Sequence, residues 1–168
     1  MVQVKNIKNV MALKKTVLTL VLITKNNKIL LGLKKRGFGM GKFNGFGGKL
    51  EAGETIEEAA RRELFEESSL EVKSLEKIAV IDFSWQNKEQ DLEVHVFHCD
   101  NFVGEPEESE EMKPEWFDID NIPYKKMWDD DQYWFPVFLE GKKFKADFLF
   151  NKSDKIIEHK INVLPKNN

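Results

Sequence analysis

The segment from Gly48 to Leu70 constrains the fold of this chain more than any other stretch. It reads GKLEAGETIEEAARRELFEESSL and follows a glycine-rich segment, residues 37–48, in which we expect a loop and no regular element. Thr55 and Glu58 have the spacing of a capping box, in which each side chain satisfies a free backbone N–H of the other residue. We therefore predict a helix from Thr55 to about Ser68.

Three glutamates lie on the inward side of this predicted helix. At about 100° per residue, Glu63, Glu66 and Glu67 fall within an arc of about 100°. The small and apolar residues Ile56, Ala59 and Ala60 share that side, whereas the far side carries Glu57, Arg61 and Ser68. We therefore expect the three carboxylates to continue the buried face of the helix.

Carboxylates on a buried face need a cation. Like charges at i,i+3 and i,i+4 repel each other, and an unpaired buried charge is strongly destabilising. Hard divalent ions that prefer oxygen ligands, Mg²⁺ or Mn²⁺, relieve both effects. With a glycine-rich loop beside them, the carboxylates indicate a metal-dependent site for a substrate that carries a phosphate chain.

Length and composition indicate one globular domain. The chain has 168 residues, 41% of them hydrophobic, and a net charge of −3, which argues against binding to nucleic-acid polymers or membrane surfaces. We expect a flexible N-terminal extension at residues 1–15, a domain over 16–164 and a short tail at 165–168. The only cysteine, Cys99, suits a reducing compartment. We expect a cytoplasmic protein, with mitochondrial or nuclear locations left open.

The apolar pattern predicts strands on both sides of the first helix. We predict a hairpin from residues 16–24 and 28–33, strands over 72–84 and 91–99, and a final hairpin from 144–150 and 156–164. A second helix is predicted over 130–140 with Gly141 as its C-terminal cap, and an acidic surface loop over 104–115. Strands mixed with two helices indicate an α+β domain or a mixed-sheet α/β/α sandwich.

Three common site motifs are excluded. Around Gly41 a phosphate-binding loop fails, because Arg36 stands where its first glycine belongs and Phe43 where Ser or Thr should bind magnesium. The glycines also lack the spacing of a dinucleotide-binding loop. His95 and His98 would point to opposite faces of a strand, so we expect ordinary sheet residues and not zinc ligands.

The segment that opened this section resembles the Nudix box. Gly48 is followed after five residues by Glu54, and after seven more by RELFEE, residues 62–67. The resemblance implies a Nudix hydrolase with an α/β/α sandwich fold. It implies as metal ligands the acids Glu63, Glu66 and Glu67. Arg62 and Glu54 would then brace these acids or orient the attacking water.

One position departs from the box, because Ser69 stands where the family has glycine. That glycine ends the helix in a left-handed conformation, in which serine costs about 1 kcal/mol. We expect strain at the helix end but no loss of a metal ligand. A catalytically silent nucleotide-binding module is therefore an alternative, although the three intact glutamates argue against it.

Beyond the box, the chain resembles the animal branch of this family that hydrolyses oxidised purine nucleoside triphosphates. The resemblance covers nearly all of residues 16–163 and includes LLGLKKRGFGMGKFNGFGGK, EVHVF, EEMKPEWF, IPYKKMWDDDQYWFP and KKFKADFLF. It assigns recognition of the base to Asn44, Trp128, Asp130 and Asp131. It assigns the lining of the site to Thr19, Lys34, Phe38, Phe83, Leu92 and Trp134. It adds to the residues near the metal Gly48 and Glu111.

The run WDDDQYW, residues 128–134, allows two interpretations. An Asp run can cap a helix N-terminus and complement its dipole. By resemblance, Trp128 instead stacks on the purine while Asp130 and Asp131 bind its edge. Two adjacent acids in an apolar pocket raise each other's proton affinity, so one shared proton would let the pair both donate and accept. Asp129 stands where the family has proline, and we expect it in solvent within a less rigid loop.

These features together predict Mg²⁺-dependent hydrolysis of oxidised purine nucleoside triphosphates to a monophosphate and pyrophosphate, with Mn²⁺ as a substitute. Expected substrates are 8-oxo-dGTP and 2-oxo-dATP, so the protein would clear damaged nucleotides from the cellular pool. The expected partner is this small molecule alone, and the expected state is a monomer. The alternative is a Nudix activity on another nucleoside diphosphate derivative, such as ADP-ribose or a capped nucleotide.

Overall fold

The computed structural model describes residues 15–166, which form one large mixed sheet, a separate pair of short strands, Glu71–Val72 and Phe102–Val103, and two helices. Its strands are β1 (Lys15–Lys25), β2 (Lys28–Lys34), β3 (Phe43–Asn44), β4 (Glu71–Val72), β5 (Glu76–Trp85), β6 (Asp91–Cys99), β7 (Phe102–Val103), β8 (Met112–Asp118), β9 (Phe144–Phe150) and β10 (Ile156–Val163). Its helices are α1 (Ile56–Ser68) and α2 (Asp131–Leu139), with short 3-10 helices at Ile119–Asn121 and Tyr124–Lys126. Apart from Lys15, the predicted extension lies outside the described residues, as do residues 167–168 of the predicted tail.

The strand order of the large sheet is β10-β9-β5-β6-β1-β2-β3, with β8 also paired to β2. β1 runs parallel to β6 and β5 runs parallel to β9, whereas the other neighbours are antiparallel. The predicted first hairpin is present, and its turn residues Asn26 and Asn27 are both left-handed, with φ of 50° and 61°. The parallel pairs bring together segments that lie far apart in the sequence.

Each face of the sheet packs against one helix. Helix α1 buries Ala60 and Leu64 on the face that also carries Val21, Ile23, Leu30 and Phe97. Helix α2 buries Trp134, Phe135 and Phe138 on the opposite face, which carries Leu20, Leu22, Ile81, Val94 and Phe148. This confirms the predicted α/β/α sandwich. No helix within residues 15–166 is long and apolar enough to cross a membrane.

The start of α1 matches the sequence pattern, whereas its last turn does not. The Glu58 N–H donates to Thr55 Oγ1 at 3.1 Å, and the Thr55 N–H donates to Glu58 Oε2 at 2.9 Å, which confirms the capping box. Ser68, placed on the far side by the helical wheel, is fully buried. The reason is a long-range contact, because the Glu107 N–H donates to the Ser68 carbonyl at 2.9 Å and the acidic loop covers the helix end.

Ser69 adopts the strained conformation that the sequence predicts, with φ of 64° and ψ of 13°. We expect Ser69→Gly to raise the free energy of unfolding by about 1 kcal/mol, because glycine enters the left-handed region without steric strain. Urea denaturation measures this change. Ser74→Gly, at an exposed position outside the left-handed region, should give no gain. Equal effects of the two substitutions would show that helix-end strain is absent.

Three predicted boundaries differ from the observed ones. The predicted strand over 72–84 is divided, because Glu71–Val72 pairs with β7 and leaves the main sheet. The acidic loop ends early, because β8 begins at Met112 and pairs with β2. The glycine-rich segment is not entirely irregular, since β3 pairs with β2 and Phe46 bridges to Val21. In each case a partner strand from elsewhere in the chain sets the boundary.

Helix α2 ends as predicted but begins differently. Gly141 has φ of 75°, and its N–H donates to the Phe138 carbonyl at 2.9 Å, as expected of a C-terminal cap. At the other end Asp130 occupies the N-cap position, yet its side chain makes no capping hydrogen bond. The capping interpretation of the Asp run is therefore wrong for Asp130, whose carboxylate is buried inside the protein.

The histidines and the cysteine of the sheet make ordinary contacts. His95 Nε2 contacts Glu93 Oε1 at 2.7 Å and His98 Nε2 contacts Thr24 Oγ1 at 2.7 Å. Cys99 is only 3% exposed, and its thiol donates to a backbone carbonyl two residues further on at 3.2 Å. Burial raises the pKa of this thiol.

Candidate active site

Glu67 is the most deeply buried acid of α1. Its side chain faces the sheet, and its Oε1 accepts a 2.8 Å hydrogen bond from the Gly47 N–H. Burial raises the pKa of Glu67 to about 7, although the Gly47 N–H and the charge of Lys34 oppose this shift. Within the described part of the chain Glu67 forms no ion pair, so a cation bound beside it would stabilise its ionised form.

Two glycines allow β1, the glycine-rich segment and α1 to meet. A Cβ atom on Gly47 would lie 1.7 Å from the Thr19 carbonyl oxygen, and one on Gly48 would lie 2.6 Å from the Glu63 carboxylate. The Thr19 N–H donates to the Gly48 carbonyl at 2.9 Å, which joins this segment to β1. A side chain at Gly47 would collide with the β1 backbone, so that glycine is required by close approach, whereas one at Gly48 would displace only the end of the Glu63 side chain.

Arg62 holds the acidic side chains around it. Its guanidinium donates to both carboxylate oxygens of Glu54, to Glu63 Oε1 at 2.9 Å and to Glu66 Oε2 at 3.3 Å. It also donates to the Lys49 carbonyl at 3.1 Å, which ties α1 to the preceding loop. The hydrogen bond from Arg62 lowers the pKa of Glu54 to about 2. Both residues therefore stay charged at neutral pH.

Two of the predicted metal-site acids, Glu66 and Glu111, are more exposed than Glu63 and Glu67. The Glu66 side chain is 54% exposed, so the prediction of three buried glutamates is wrong for this residue, which lies at the edge of the wheel arc and turns toward Arg62. Glu111 is bound by Lys34 Nζ at 2.9 Å and by Arg36 Nε at 2.8 Å. These two cations lower the pKa of the Glu111 carboxyl.

The acidic side chains do not have the arrangement of a complete metal site. Among residues 15–166, no three His, Cys, Asp or Glu side chains have the arrangement of metal ligands. The ion pairs explain this, because Arg62 holds Glu63 and Glu66 while Lys34 holds Glu111. The chemistry of the group still fits a hard divalent cation, since every donor is an oxygen and Glu67 is buried without an ion pair within residues 15–166.

A cavity of about 550 Å³ extends from Glu67 to the N-terminus of α2. Its floor consists of apolar sheet residues, among them Leu20, Ile81 and Val94. It is lined by all of the side chains to which the resemblance assigned substrate binding, namely Thr19, Lys34, Phe38, Asn44, Phe83, Leu92, Trp128, Asp130, Asp131 and Trp134. A pocket with an apolar floor and a few polar groups is typical of a small-molecule site.

Two buried acids stand at the end of the cavity opposite Glu67. Asp130 and Asp131 are 3% and 2% exposed. Asp130 Oδ2 accepts a 2.7 Å hydrogen bond from the Trp134 indole, whereas Asp131 Oδ2 has no hydrogen-bond partner among residues 15–166. Burial raises the pKa of both acids, and the charge of Asp130 raises that of Asp131 further. The pair therefore holds a proton far more readily than ordinary aspartates do.

Trp128 forms a flat wall beside these acids. The Phe38 ring stacks on it with centroids 4.9 Å apart and planes at 29°. Lys42 Nζ lies 5.3 Å from the centroid of the indole. Nearby, Asn44 Oδ1 accepts from the Gly45 N–H at 2.9 Å, which fixes the amide and leaves its NH₂ group as a donor. The site thus offers an aromatic surface, amide donors and a carboxyl pair.

The residues of the cavity that the sequence did not identify include two aromatic side chains and two lysines. Trp85 and Phe150 end two paired strands, β5 and β9, and stack with centroids 5.0 Å apart. Lys88 Nζ lies 4.9 Å from the centroid of Trp85 and, with Lys42, brings positive charge to the cavity. A predicted end of β5 one residue later would have included Trp85, but no sequence pattern marks the two lysines.

Asp129 does not lie in solvent as expected. Its side chain is 20% exposed, and its Oδ2 accepts a 2.8 Å hydrogen bond from the Ile156 N–H at the start of β10. Its Oδ1 accepts from the Gln132 side chain at 3.1 Å. The expectation of a solvent-exposed carboxylate is therefore wrong, because a backbone donor 27 residues away binds it.

Known proteins resemble this chain in both sequence and fold. The NUDIX domain matches residues 13–138. An "Oxidized purine nucleoside triphosphate hydrolase" of Danio rerio is 56% identical over 144 residues, covering 86% of this chain and 92% of the relative. Its namesake from Mus musculus is 49% identical over 143 residues, covering 85% and 92%. The MutT protein of Bacillus halodurans superposes with a TM-score of 0.79 at 24% identity, covering 88% of this chain and 97% of that one, which shows a shared fold.

Proposed function

The chain belongs to the NUDIX family, and from this we propose that it hydrolyses oxidised purine nucleoside triphosphates to the monophosphate and pyrophosphate. Two relatives that match most of its length carry the name of that activity. The observation that carries the proposal is the unpartnered Oδ2 of Asp131, which is buried in the cavity next to Asp130. A buried polar atom without a partner is destabilising, so it indicates a ligand that supplies the missing hydrogen bond.

At the base end of the cavity, the carboxyl pair matches an oxidised purine. Asp130 accepts from Trp134, which favours its ionised form, while Asp131 is the acid more readily protonated. An ionised carboxylate accepts from the N–H groups of the base, and a protonated carboxyl donates to a carbonyl oxygen. We propose that this proton moves between the two acids, so that the pair can bind both 8-oxo-guanine and 2-oxo-adenine. Trp128 supplies the stacking surface.

At the other end, the acids fit a divalent metal ion. Members of the family generally use such ions, and we propose Mg²⁺, with Mn²⁺ as a substitute. The donors that we propose are Glu63, Glu66, Glu67, Glu111 and the Gly48 carbonyl. A bound divalent ion neutralises charge on the phosphate chain. Arg62 forms ion pairs with Glu63 and Glu66, so we expect binding of the metal ion to weaken these ion pairs.

The chain's own side chains position the reaction. Arg62 and Glu54 brace α1 against the loop, so that Glu67 is held at the cavity by the Gly47 N–H. We propose that the Glu67 carboxylate orients the attacking water or takes its proton. Lys34 lines the cavity beside Glu111 and can bind a phosphate oxygen. In-line attack then needs only that the phosphate chain extends from the base pocket toward Glu67.

The cavity is built from one chain, so we propose that a monomer is sufficient. A reducing compartment such as the cytoplasm fits the single buried thiol. We keep mitochondrial or nuclear locations as further proposals. None of these points affects the chemistry of the site.

Steady-state kinetics on a nucleotide panel test the proposed function. We expect kcat/KM for 8-oxo-dGTP and 2-oxo-dATP to exceed that for dGTP by about 100-fold or more, since a site built for specific hydrogen bonds strongly rejects a base that lacks them. Excess EDTA should abolish the activity and Mg²⁺ should restore it. Greater efficiency on ADP-ribose or a capped nucleotide would replace the proposal with that activity. Activity that survives EDTA would refute the role of the metal.

A further inference from the structure

Asp129 lies between two residues that line the base pocket, Trp128 and Asp130, but does not line the pocket itself. Its carboxylate binds elsewhere in the protein. Oδ2 accepts from the Ile156 N–H at 2.8 Å, Oδ1 accepts from the Gln132 side chain at 3.1 Å, and Lys155 Nζ lies 3.8 Å away. Asp129 thus connects the segment before α2 to the start of β10.

The β9–β10 turn, residues 151–155, is also held from its other side. Asp154 Oδ1 accepts from the Trp85 indole at 2.9 Å. The Trp85 ring stacks on Phe150, with planes at 16°, and the edge of Phe150 meets Trp128 at a centroid distance of 6.0 Å. Contacts therefore connect the segment before α2 to this turn, and connect the turn through Trp85 and Phe150 back to Trp128 in the same segment.

The other side-chain contacts of this segment lie at the cavity, where Trp128 stacks on Phe38 and Asp130 accepts from Trp134. Asp130 provides no side-chain cap for α2, which has only 9 residues. A hydrogen bond from the first N–H group of β10 to the charged Asp129 carboxylate restrains this segment directly. Such bonds are about twice as strong as neutral ones.

We propose that Asp129 is a positioning residue that sets the placement of Trp128 and Asp130 against the bound base by tying their segment to β10. The role rests on the proposed function, because it concerns recognition of the oxidised purine. Asp129 acts through its neighbours and does not touch the nucleotide. Its removal should therefore change selectivity for the base and leave the phosphate end of the site intact.

Kinetics of Asp129→Ala test this role. We expect KM for 8-oxo-dGTP to rise about tenfold with kcat within about twofold of the wild type, because the loss of one charge-assisted hydrogen bond loosens the base pocket alone. The preference for 8-oxo-dGTP over dGTP should fall by a similar factor. Asp129→Asn, which keeps an oxygen acceptor, should recover most of the loss. Asp120→Ala removes an exposed acid that lies away from Asp130 and Ile156 along the chain and should change neither constant.

Amide hydrogen exchange gives a readout that does not depend on activity. In Asp129→Ala the Ile156 N–H should exchange faster than in the wild type, while the N–H groups of β1 and β6 keep their protection. Unchanged protection of Ile156, or an equal loss of kcat on oxidised and ordinary purines, would overturn the positioning role. A wild-type enzyme without preference for the oxidised base would refute the proposed function, and this role with it. Loss of the preference only in Asp129→Ala supports both.

Discussion

Glu67→Gln should reduce kcat on 8-oxo-dGTP by about 10³-fold or more, since it removes the charge that acts at the reacting phosphate. The substitution keeps the size of the side chain, and the amide oxygen can still accept from the Gly47 N–H. The fold should therefore survive. Because the ionised form of a buried acid is destabilising, the variant should also melt no lower than the wild type at pH 8. Stopped assays of pyrophosphate release and a thermal melt measure the two effects.

A matched control separates the effect of Glu67→Gln on kcat from the effect of removing any one carboxylate near α1. Glu71→Gln changes an exposed carboxylate just beyond α1 and should leave kcat unchanged. Titration with 8-oxo-dGTP followed by tryptophan fluorescence should show that Glu67→Gln still binds the nucleotide, since Trp128 lies at the other end of the cavity. A kcat within tenfold of the wild type would remove Glu67 from the chemical step. Loss of binding and of thermal stability together would indicate a structural role instead.

Asp131→Asn should lower kcat/KM for both 8-oxo-dGTP and 2-oxo-dATP by about 100-fold, chiefly through KM, because an amide cannot exchange a proton with Asp130. Asp130→Asn should do the same. Both variants are measured on both nucleotides. Efficiencies that stay at the wild-type level in each variant would refute the shared proton. Asp100→Asn, which changes an exposed acid outside the cavity, should have no effect.

The pH dependence of these variants follows from the raised pKa of the pair. The wild-type pair keeps a proton until the pH exceeds the raised pKa, so KM for 8-oxo-dGTP should increase on the alkaline side. In Asp131→Asn only Asp130 remains to hold a proton and the charge coupling of the pair is lost, so KM should vary less with pH. The native state also holds this proton more tightly than the unfolded chain, so the wild type loses stability as pH rises from the ordinary to the raised pKa. Asp131→Asn should therefore melt higher than the wild type at pH 8 but not at pH 4.

The local pattern of the sequence was sufficient to predict α1 and its place in the site. The capping box, the inward position of Glu63 and Glu67 and the strain at Ser69 all depend on residues within one or two turns. The wheel was wrong for Glu66 and Ser68, because it assumes one buried face along the whole helix. The acidic loop covers the last turn through a tertiary contact. Arg62 draws Glu66 outward through an i,i+4 ion pair on the same helix, which a wheel of polar and apolar positions does not include.

The region around the base pocket shows where prediction from sequence ends. Resemblance to a family identified the residues that line the cavity, but not the groups of the protein with which each of them forms hydrogen bonds. Asp130 accepts from an indole one turn away, while Asp129 accepts from a backbone N–H 27 residues further along the chain. Every residue except proline has a backbone N–H, so no pattern of side chains could have predicted the hydrogen bond from Ile156 to Asp129. The neighbouring acids differ in role because of what surrounds them.

The burial of Cys99 determines how this protein would withstand oxidants. Its sulfur lies in the core between α1 and the sheet, and burial keeps the thiol protonated. Oxidants attack the thiolate, and a protonated, inaccessible sulfur reacts slowly. The chain has no second cysteine with which an internal disulfide could form. A protein proposed to act on oxidised nucleotides, and thus to work where oxidants are abundant, therefore presents no reactive thiol of its own to them.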